Sequence, residues 1–254
     1  MKPVIGIVTR PEKDSDDFHV QCVYKHYIDA IIEFGGIPIG LLPPQDVLYY
    51  DESPSQIASL TDNEKKVIER QFDLCDGIIF QGGDKWYEYD EYFLELAIKK
   101  DIPFLGICLG MQIINNYISN SERVTDKTVK IESEINHRQT NVKYAHEVKL
   151  NKGSKLYDIY GKQDIIVNSH HNYRVIENKD LAVGYSPDGI VEAIEVPDVS
   201  YGIGVQWHPE RMYKYDEDTR SLFKSFILAS SKKMERNKNS HDKNEVQTND
   251  DVII

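Results

Sequence analysis

The sequence predicts an α/β fold with a mostly parallel central sheet and an additional antiparallel β portion, and three observations lead there. Residues 1–120 alternate short apolar runs with amphipathic helical stretches, the pattern of successive βα units. Residues 142–207 read instead as a succession of short strands of β-rich composition. Two of these strands, 190–196 and 201–207, are separated only by Pro197 to Ser200, which suits a hairpin and is too short for a parallel crossover.

Val4 to Val8 reads as the first buried strand. Val20, Val23, Tyr24, Tyr27, Ile28, Ile31 and Ile32 recur at helical spacing, and Gly35-Gly36 ends that helix because glycine takes the left-handed cap conformation without a steric penalty. Ile37 to Leu42 is a second strand, closed by Pro43-Pro44. Thr61-Asp62-Asn63-Glu64 has the form of a capping box opening a helix to Phe72. Gly77 to Phe80 is a third strand, and Asp90 to Lys100 a helix with Phe93, Leu94, Ala97 and Ile98 on one face. Pro103 to Ile107 is a fourth strand running straight into Cys108, where a helix begins that turns Ile113, Ile114, Tyr117 and Ile118 inward. Strands follow at Val142 to Leu150, Ile165 to Asn168, Leu181 to Tyr185, Ile190 to Val196 and Tyr201 to Trp207. A last helix, Thr219 to Ser230, buries Leu222, Phe223 and Phe226. Residues 1–230 make one domain; residues 231–254 are polar almost throughout and are expected to form a disordered tail.

Composition narrows the function classes. The 254 residues are 40% hydrophobic and 28% charged, an ordinary globular mix. A formal net charge of −12 with no basic patch repels a phosphate backbone, so nucleic acid is not an expected partner. The apolar runs are too short for a signal peptide or a membrane span, so no membrane association and a cytoplasmic location are expected. Cys22, Cys75 and Cys108 form no CxxC pair and read as reduced thiols.

Gly106-Ile107-Cys108-Leu109-Gly110 has the form of a nucleophile elbow with cysteine in the serine place, set between a strand and a helix. The flanking glycines permit a tight turn, and the helix N-terminus beneath favours thiolate over thiol. The alternative is a small buried apolar residue, as free cysteines often are. A nucleophile needs a base, and Gly204-Val205-Gln206-Trp207-His208-Pro209-Glu210 offers one at a strand end. In an extended chain His208 and Glu210 point to one side, so the carboxylate can orient the ring and stabilise its charged form. A His and a Glu facing solvent is the competing account. Gln81-Gly82-Gly83-Asp84 follows the third strand at the same sheet edge as Cys108, and the Gly83 amide with that of Leu109 would make a two-donor oxyanion hole. A simple turn is the alternative there.

Asn168-Ser169-His170-His171 is a polar loop cluster, and its paired histidines raise a metal reading with His208 and Glu210. No HExxH or His-x-His spacing supports that reading, so ligand contact or loop hydrogen bonding is expected instead. His137 and His146 read as strand or loop residues with ordinary hydrogen bonds. The stretch Trp86 to Tyr92 is either a substrate lip or an acid-rich helix start.

Gly82-Gly83, Gly-Ile-Cys108-Leu-Gly-Met-Gln112 and Gln-Trp-His208-Pro-Glu210, in that order, resemble the class I glutamine amidotransferase superfamily, and within it the γ-glutamyl-γ-aminobutyrate hydrolase-like family. Pro3 to Ile7, Tyr27 to Pro38, Ala145 to Val148, Val167 to Ser169 with His171, and Asp188 to Ala193 extend the similarity over Lys2 to Phe226. The resemblance implies a flavodoxin-like sandwich and cleavage of a γ-glutamyl amide through a thioester. Cys108 would be the nucleophile, His208 the base and acid, and Glu210 the orienting carboxylate. Gly82, Gln112, Ser169 and His171 would contact substrate, and neither a metal nor an organic cofactor is implied. The small substrate would be a γ-glutamylated amine; a glutaminase subunit serving a separate synthetase partner is the second implication, and a monomer or homodimer is expected. The chain departs from the family pattern at Leu109, at Tyr173 and between Gly83 and Asp90, so the resemblance points to the γ-glutamyl bond rather than to one leaving group.

Overall fold

The computed structural model describes residues 1–45, 57–119, 128–140 and 142–250, with side chains to Lys238. In chain order the strands are β1 Val4–Val8, β2 Arg10–Lys13 and β3 His19–Cys22, followed by helix α1 Lys25–Glu33 and β4 Ile37–Leu41. Then come α2 Asp62–Phe72, β5 Gly77–Phe80, α3 Glu88–Lys99, β6 Phe104–Ile107 and α4 Leu109–Ile118. The second half holds β7 Thr128–Lys130, β8 Arg138–Gln139, β9 His146–Leu150, α5 Lys155–Tyr160, β10 Asp164–Val167, β11 Ser169–His170 and β12 Tyr173–Val175. It ends with β13 Ala182–Tyr185, β14 Val191–Glu195, β15 Gly202–Val205 and α6 Glu217–Asp250.

Nine of these strands form one sheet in the order β10-β9-β13-β14-β15-β6-β5-β1-β4. From β4 to β15 every neighbour is parallel. From β15 to β10 every neighbour is antiparallel. The antiparallel portion expected from sequence is therefore an extension of the same sheet, and β15, the last strand among the described residues, joins the halves by pairing with β6 on one side and β14 on the other.

Each face of the sheet buries its own core, because the parallel strands are apolar on both sides. Ile68, Phe72, Phe93, Leu94, Ile113 and Ile114 of α2, α3 and α4 pack on one face. Tyr27, Ile31, Leu156, Leu222, Phe223 and Phe226 of α1, α5 and α6 pack on the other. The result is the expected three-layer sandwich.

Local signals explain most boundaries. Thr61 and Glu64 form the capping box, and α1 ends at Gly35 with φ +95°. The helix expected from Val20 starts only at Lys25, because His19–Cys22 pairs with Arg10–Lys13 as a hairpin. The expected disordered tail is corrected over its first part: α6 continues past Ser230, Met234 is 7% exposed, and Lys233 Nζ donates to the Lys100 carbonyl. Met234 extends the buried stripe of Phe226 and Ile227 by two turns, which composition alone does not register. Among the described residues no helix is long and apolar enough to cross a membrane.

Candidate active site

Three consecutive strands of the parallel half, β5, β6 and β15, end at one edge of the sheet, and each delivers a piece of the site. At the end of β6 the chain turns sharply: Cys108 sits at φ 54°, ψ −104°, and α4 starts at Leu109. That backbone is costly for a residue with a Cβ, of order 1–3 kcal/mol. The strain falls on the cysteine itself and not on its glycines, whose role is space. A Cβ on Gly110 would lie 2.0 Å from the Phe80 carbonyl oxygen, and one on Gly106 would lie 2.4 Å from Ile114 Cδ1. The Cys108 amide donates to Val205 O at 2.8 Å, which ties the elbow to β15.

β15 supplies the histidine. His208 Nδ1 lies 2.7 Å from Glu210 Oε1, both groups nearly sealed from solvent. The pairing arises differently from the sequence expectation of an extended segment: Pro209–Arg211 is a turn of 3₁₀ helix, and the tight turn brings Glu210 back under the ring. The carboxylate accepts, so Nδ1 carries the proton. Nε2 is left without a hydrogen bond of good geometry, and its ionisable neighbour is Cys108. Burial disfavours the charged ring, but Glu210 and Cys108 outweigh it and raise the imidazolium to about 9. Burial likewise pushes Glu210 up, and His208 overcomes it to hold the carboxyl below its ordinary range.

β5 supplies the glycine loop. A Cβ on Gly82 would stand 3.1 Å from His208 Cε1 and 3.6 Å from Cys108 Cβ, so a larger residue would crowd the histidine ring. Its amide donates to Tyr27 Oη at 2.9 Å. Gly83 lies against Leu109, whose Cδ2 would be 3.2 Å from a Cβ there. Leu109 opens α4, so its amide is one of the first-turn N–H groups that no helix carbonyl reaches.

The Peptidase C26 family pattern matches residues 85–210, the span that contains Cys108, His208 and Glu210. A glutamine amidotransferase-like protein of Rickettsia prowazekii is 30% identical over 90% of this chain and 98% of that one. The chain belongs to the Peptidase C26, class I glutamine amidotransferase-like, family. A γ-glutamyl-γ-aminobutyrate hydrolase of Shigella flexneri is 27% identical over 89% of this chain and 93% of that one. Among solved structures, the glutaminase domain of Trypanosoma brucei CTP synthase with bound acivicin superposes with TM-score 0.63 at 18% identity, over 91% of this chain and 94% of that one. A GMP synthase component from Thermoplasma acidophilum gives TM-score 0.61 at 17% identity, over 94% and 98%. These last two show that the flavodoxin-like sandwich of the Peptidase C26 chain is shared with glutaminase domains.

The structure thus brings together Cys108, His208, Glu210, Gly82, Gly83 and Leu109. The other expected residues have different partners. Gln112, one turn into α4, donates to Tyr173 O and Gln206 Oε1, each at 3.2 Å. Ser169 Oγ donates to His137 O at 2.8 Å. His171 turns its ring to Glu192, away from any grouping with Glu210. His171 does not join His208 and Glu210 in a metal-type grouping, since His208 pairs with Glu210 and His171 with Glu192.

Sequence reasoning missed three supports. Tyr27 holds Gly82. Asn168 clamps the His208 backbone in both directions, donating to its carbonyl at 2.9 Å and accepting from its amide at 2.8 Å. Arg10 and Asp90 form a fully buried bidentate pair at 2.6 and 2.8 Å, and the Arg10 stem lies against Gly83. An Arg two residues past the end of β1, 80 positions from its acid, carries no local signal. Beside the site a cleft of about 280 Å³ opens between Ser169, His170, Arg211 and Tyr215.

Proposed function

We propose that this chain is a cysteine hydrolase that cleaves the γ-glutamyl amide bond of a small γ-glutamylated amine. The observation that carries the reading is the buried sequence of Glu210, His208 and Cys108, with a polarised ring between an orienting carboxylate and a strained thiol. The Cys108 sulfur attacks the γ-carbonyl carbon, and the developing oxyanion is received by the Gly83 and Leu109 amides. His208, protonated, gives its Nε2 proton to the departing amine. Water, deprotonated by the same nitrogen, then attacks the γ-glutamyl thioester, releasing glutamate and regenerating the thiol. Glu210 keeps the ring in the tautomer that presents Nε2 and stabilises the imidazolium.

The specific relatives support two versions of this chemistry. The full-length match to a γ-glutamyl-γ-aminobutyrate hydrolase supports a free-standing hydrolase. A CTP synthase of Latilactobacillus sakei, 30% identical but matched over only 34% of its length, supports a glutaminase that passes ammonia to a separate synthetase. Glutamate release from a panel of γ-glutamyl amines and free glutamine, with wild type and Cys108→Ala, decides. Turnover of one γ-glutamyl amine with poor use of glutamine is the expected result. Activity confined to glutamine, rising when a synthetase is added, establishes the second version. Full activity of Cys108→Ala removes both.

A further inference from the structure

A second buried polar cluster lies in the antiparallel half, outside the residues that the proposed chemistry uses. His137 stands just before β8, His146 opens β9, His171 follows β11, and Glu192 is the second residue of β14. All four side chains are buried, from 0% exposed for Glu192 to 4% for His146. Glu192 Oε1 is met by His137 Nδ1 at 3.2 Å, His171 Nε2 at 3.5 Å and His146 Nε2 at 3.7 Å. None of these four atoms has a hydrogen-bond partner of good geometry among the described residues, and Glu192 Oε2 has none there either.

The reason is visible on the far side of each ring. His137 Nε2 lies 3.0 Å from Asp188 Oδ2, His146 Nδ1 3.1 Å from Glu147 O, and His171 Nδ1 3.0 Å from Tyr173 O. Carbonyl and carboxylate oxygens only accept, so each ring places its N–H outward. In the state with every ring neutral, each imidazole has one N–H, and the inward nitrogens are then lone pairs. Three lone pairs and a carboxylate then converge with no proton among them, an arrangement that repels itself unless something positive occupies the centre. Filling it with protons instead puts up to three imidazoliums beside Glu192 and Asp188, and with all three rings charged that is a buried excess of positive charge, costly in a low-dielectric interior.

We infer that His137, His146, His171 and Glu192 form a structural Zn²⁺ site. Ligand atoms at ~2.0–2.1 Å on a tetrahedron stand about 3.3 Å apart, and the three distances to Glu192 Oε1 bracket that value. All four ligand atoms lie within 4.8 Å of one another, so the rings close slightly around the ion. Three imidazoles and one carboxylate suit zinc, fill all four positions and leave none for a substrate, the pattern of a closed site. The outward partners are those that orient metal-bound histidines, a carboxylate for one and backbone carbonyls for two. Charge also balances: Zn²⁺ is offset by Glu192 and Asp188. Asp188 is itself held by Ser133 and Ser186. The ion ties residues 137–171 to β14, and with them the Asn168 that clamps His208.

The test is metal content and metal binding by tag-free, full-length protein. Purified protein is expected to contain one zinc per chain by elemental mass spectrometry. After chelation it should rebind Zn²⁺ stoichiometrically in competition with a chromophoric chelator, with a higher melting temperature. Co²⁺ added to the apoprotein should give the intense visible bands of a tetrahedral site. His146→Ala and Glu192→Gln should abolish the stoichiometric binding, and Asp188→Asn should weaken it about 10- to 100-fold. A wild type that binds neither Zn²⁺ nor Co²⁺ at micromolar concentration overturns the inference and leaves a protonated histidine cluster in its place. Binding that survives in folded His146→Ala and Glu192→Gln also overturns it, by placing the metal elsewhere. The wild-type titration and cobalt spectrum decide the matter even where a variant fails to fold.

Discussion

His208 and His137 each sit buried against a buried glutamate, yet the two rings are connected in opposite senses. His208 gives its Nδ1 proton to Glu210 and keeps Nε2 for one neighbour, Cys108, which can itself hold or release a proton. His137 gives its Nε2 proton outward to Asp188 and turns Nδ1 inward, where two more rings and Glu192 present the same polarity. The first arrangement leaves a proton somewhere to go; the second leaves it nowhere. A carboxylate beside a histidine therefore says little about function until the other nitrogen of the ring is traced.

The largest effect expected from breaking the first arrangement is the loss of its sulfur. Cys108→Ala should reduce glutamate release by at least about 10⁴-fold while the protein still folds, because only a small side chain is removed. The readout is turnover together with the melting temperature. Glu210→Gln should follow at about 10²- to 10⁴-fold in kcat, since the ring loses the partner that fixes its tautomer and supports its charge. Asn168→Ala tests how far the antiparallel half supports the ring. It strands the buried His208 amide and carbonyl, which should cost about 1–3 kcal/mol in a denaturant melt and lower kcat more than it raises KM.

The smallest effect is in the pH dependence of stability. His208 is raised from 6.5 to about 9, so its contribution is complete below about 6.5 and fades as pH rises through about 9. Glu210 is lowered from 4.5, so its contribution is complete above that value and fades on further acidification. Glu210→Gln should therefore cost most between about pH 5 and 6.5 and progressively less towards pH 9, as melting curves of both proteins across that range would show. A cost that grows towards pH 9 would reverse the assignment of charge within the pair.

Much of this was legible in the chain because local chemistry set it. The capping box at Thr61, the glycine stop at Gly35 and the apolar runs that become β1, β5 and β6 each act within a few residues. The elbow was equally plain, since Gly106 and Gly110 bracket Cys108. What stayed hidden depends on long-range pairing. The β2–β3 hairpin displaced the start of α1, the Arg10–Asp90 pair spans 80 positions, and the four residues of the second cluster come from four separated segments. His137 and His146 looked ordinary because nothing in a nine-residue spacing across a turn announces a shared glutamate on β14. The i, i+2 spacing of His208 and Glu210 led to the correct pairing by the wrong local geometry, a 3₁₀ turn in place of an extended segment.

The position of β15 has a consequence for how the protein comes into being. Strands from residues 4–107 make one half-sheet and strands from 146–195 the other, but the strand that unites them is made last. Until residue 210 has left the ribosome and cleared its exit tunnel, β6 and β14 are open edges and the cysteine at 108 has no histidine. At that stage β6 and β14 would each offer an unpaired edge, a recognised hazard for misassembly, and Cys108 would lack its His208 neighbour. A single four-residue strand, β15, closes both edges and leads the chain on to His208 beside Cys108.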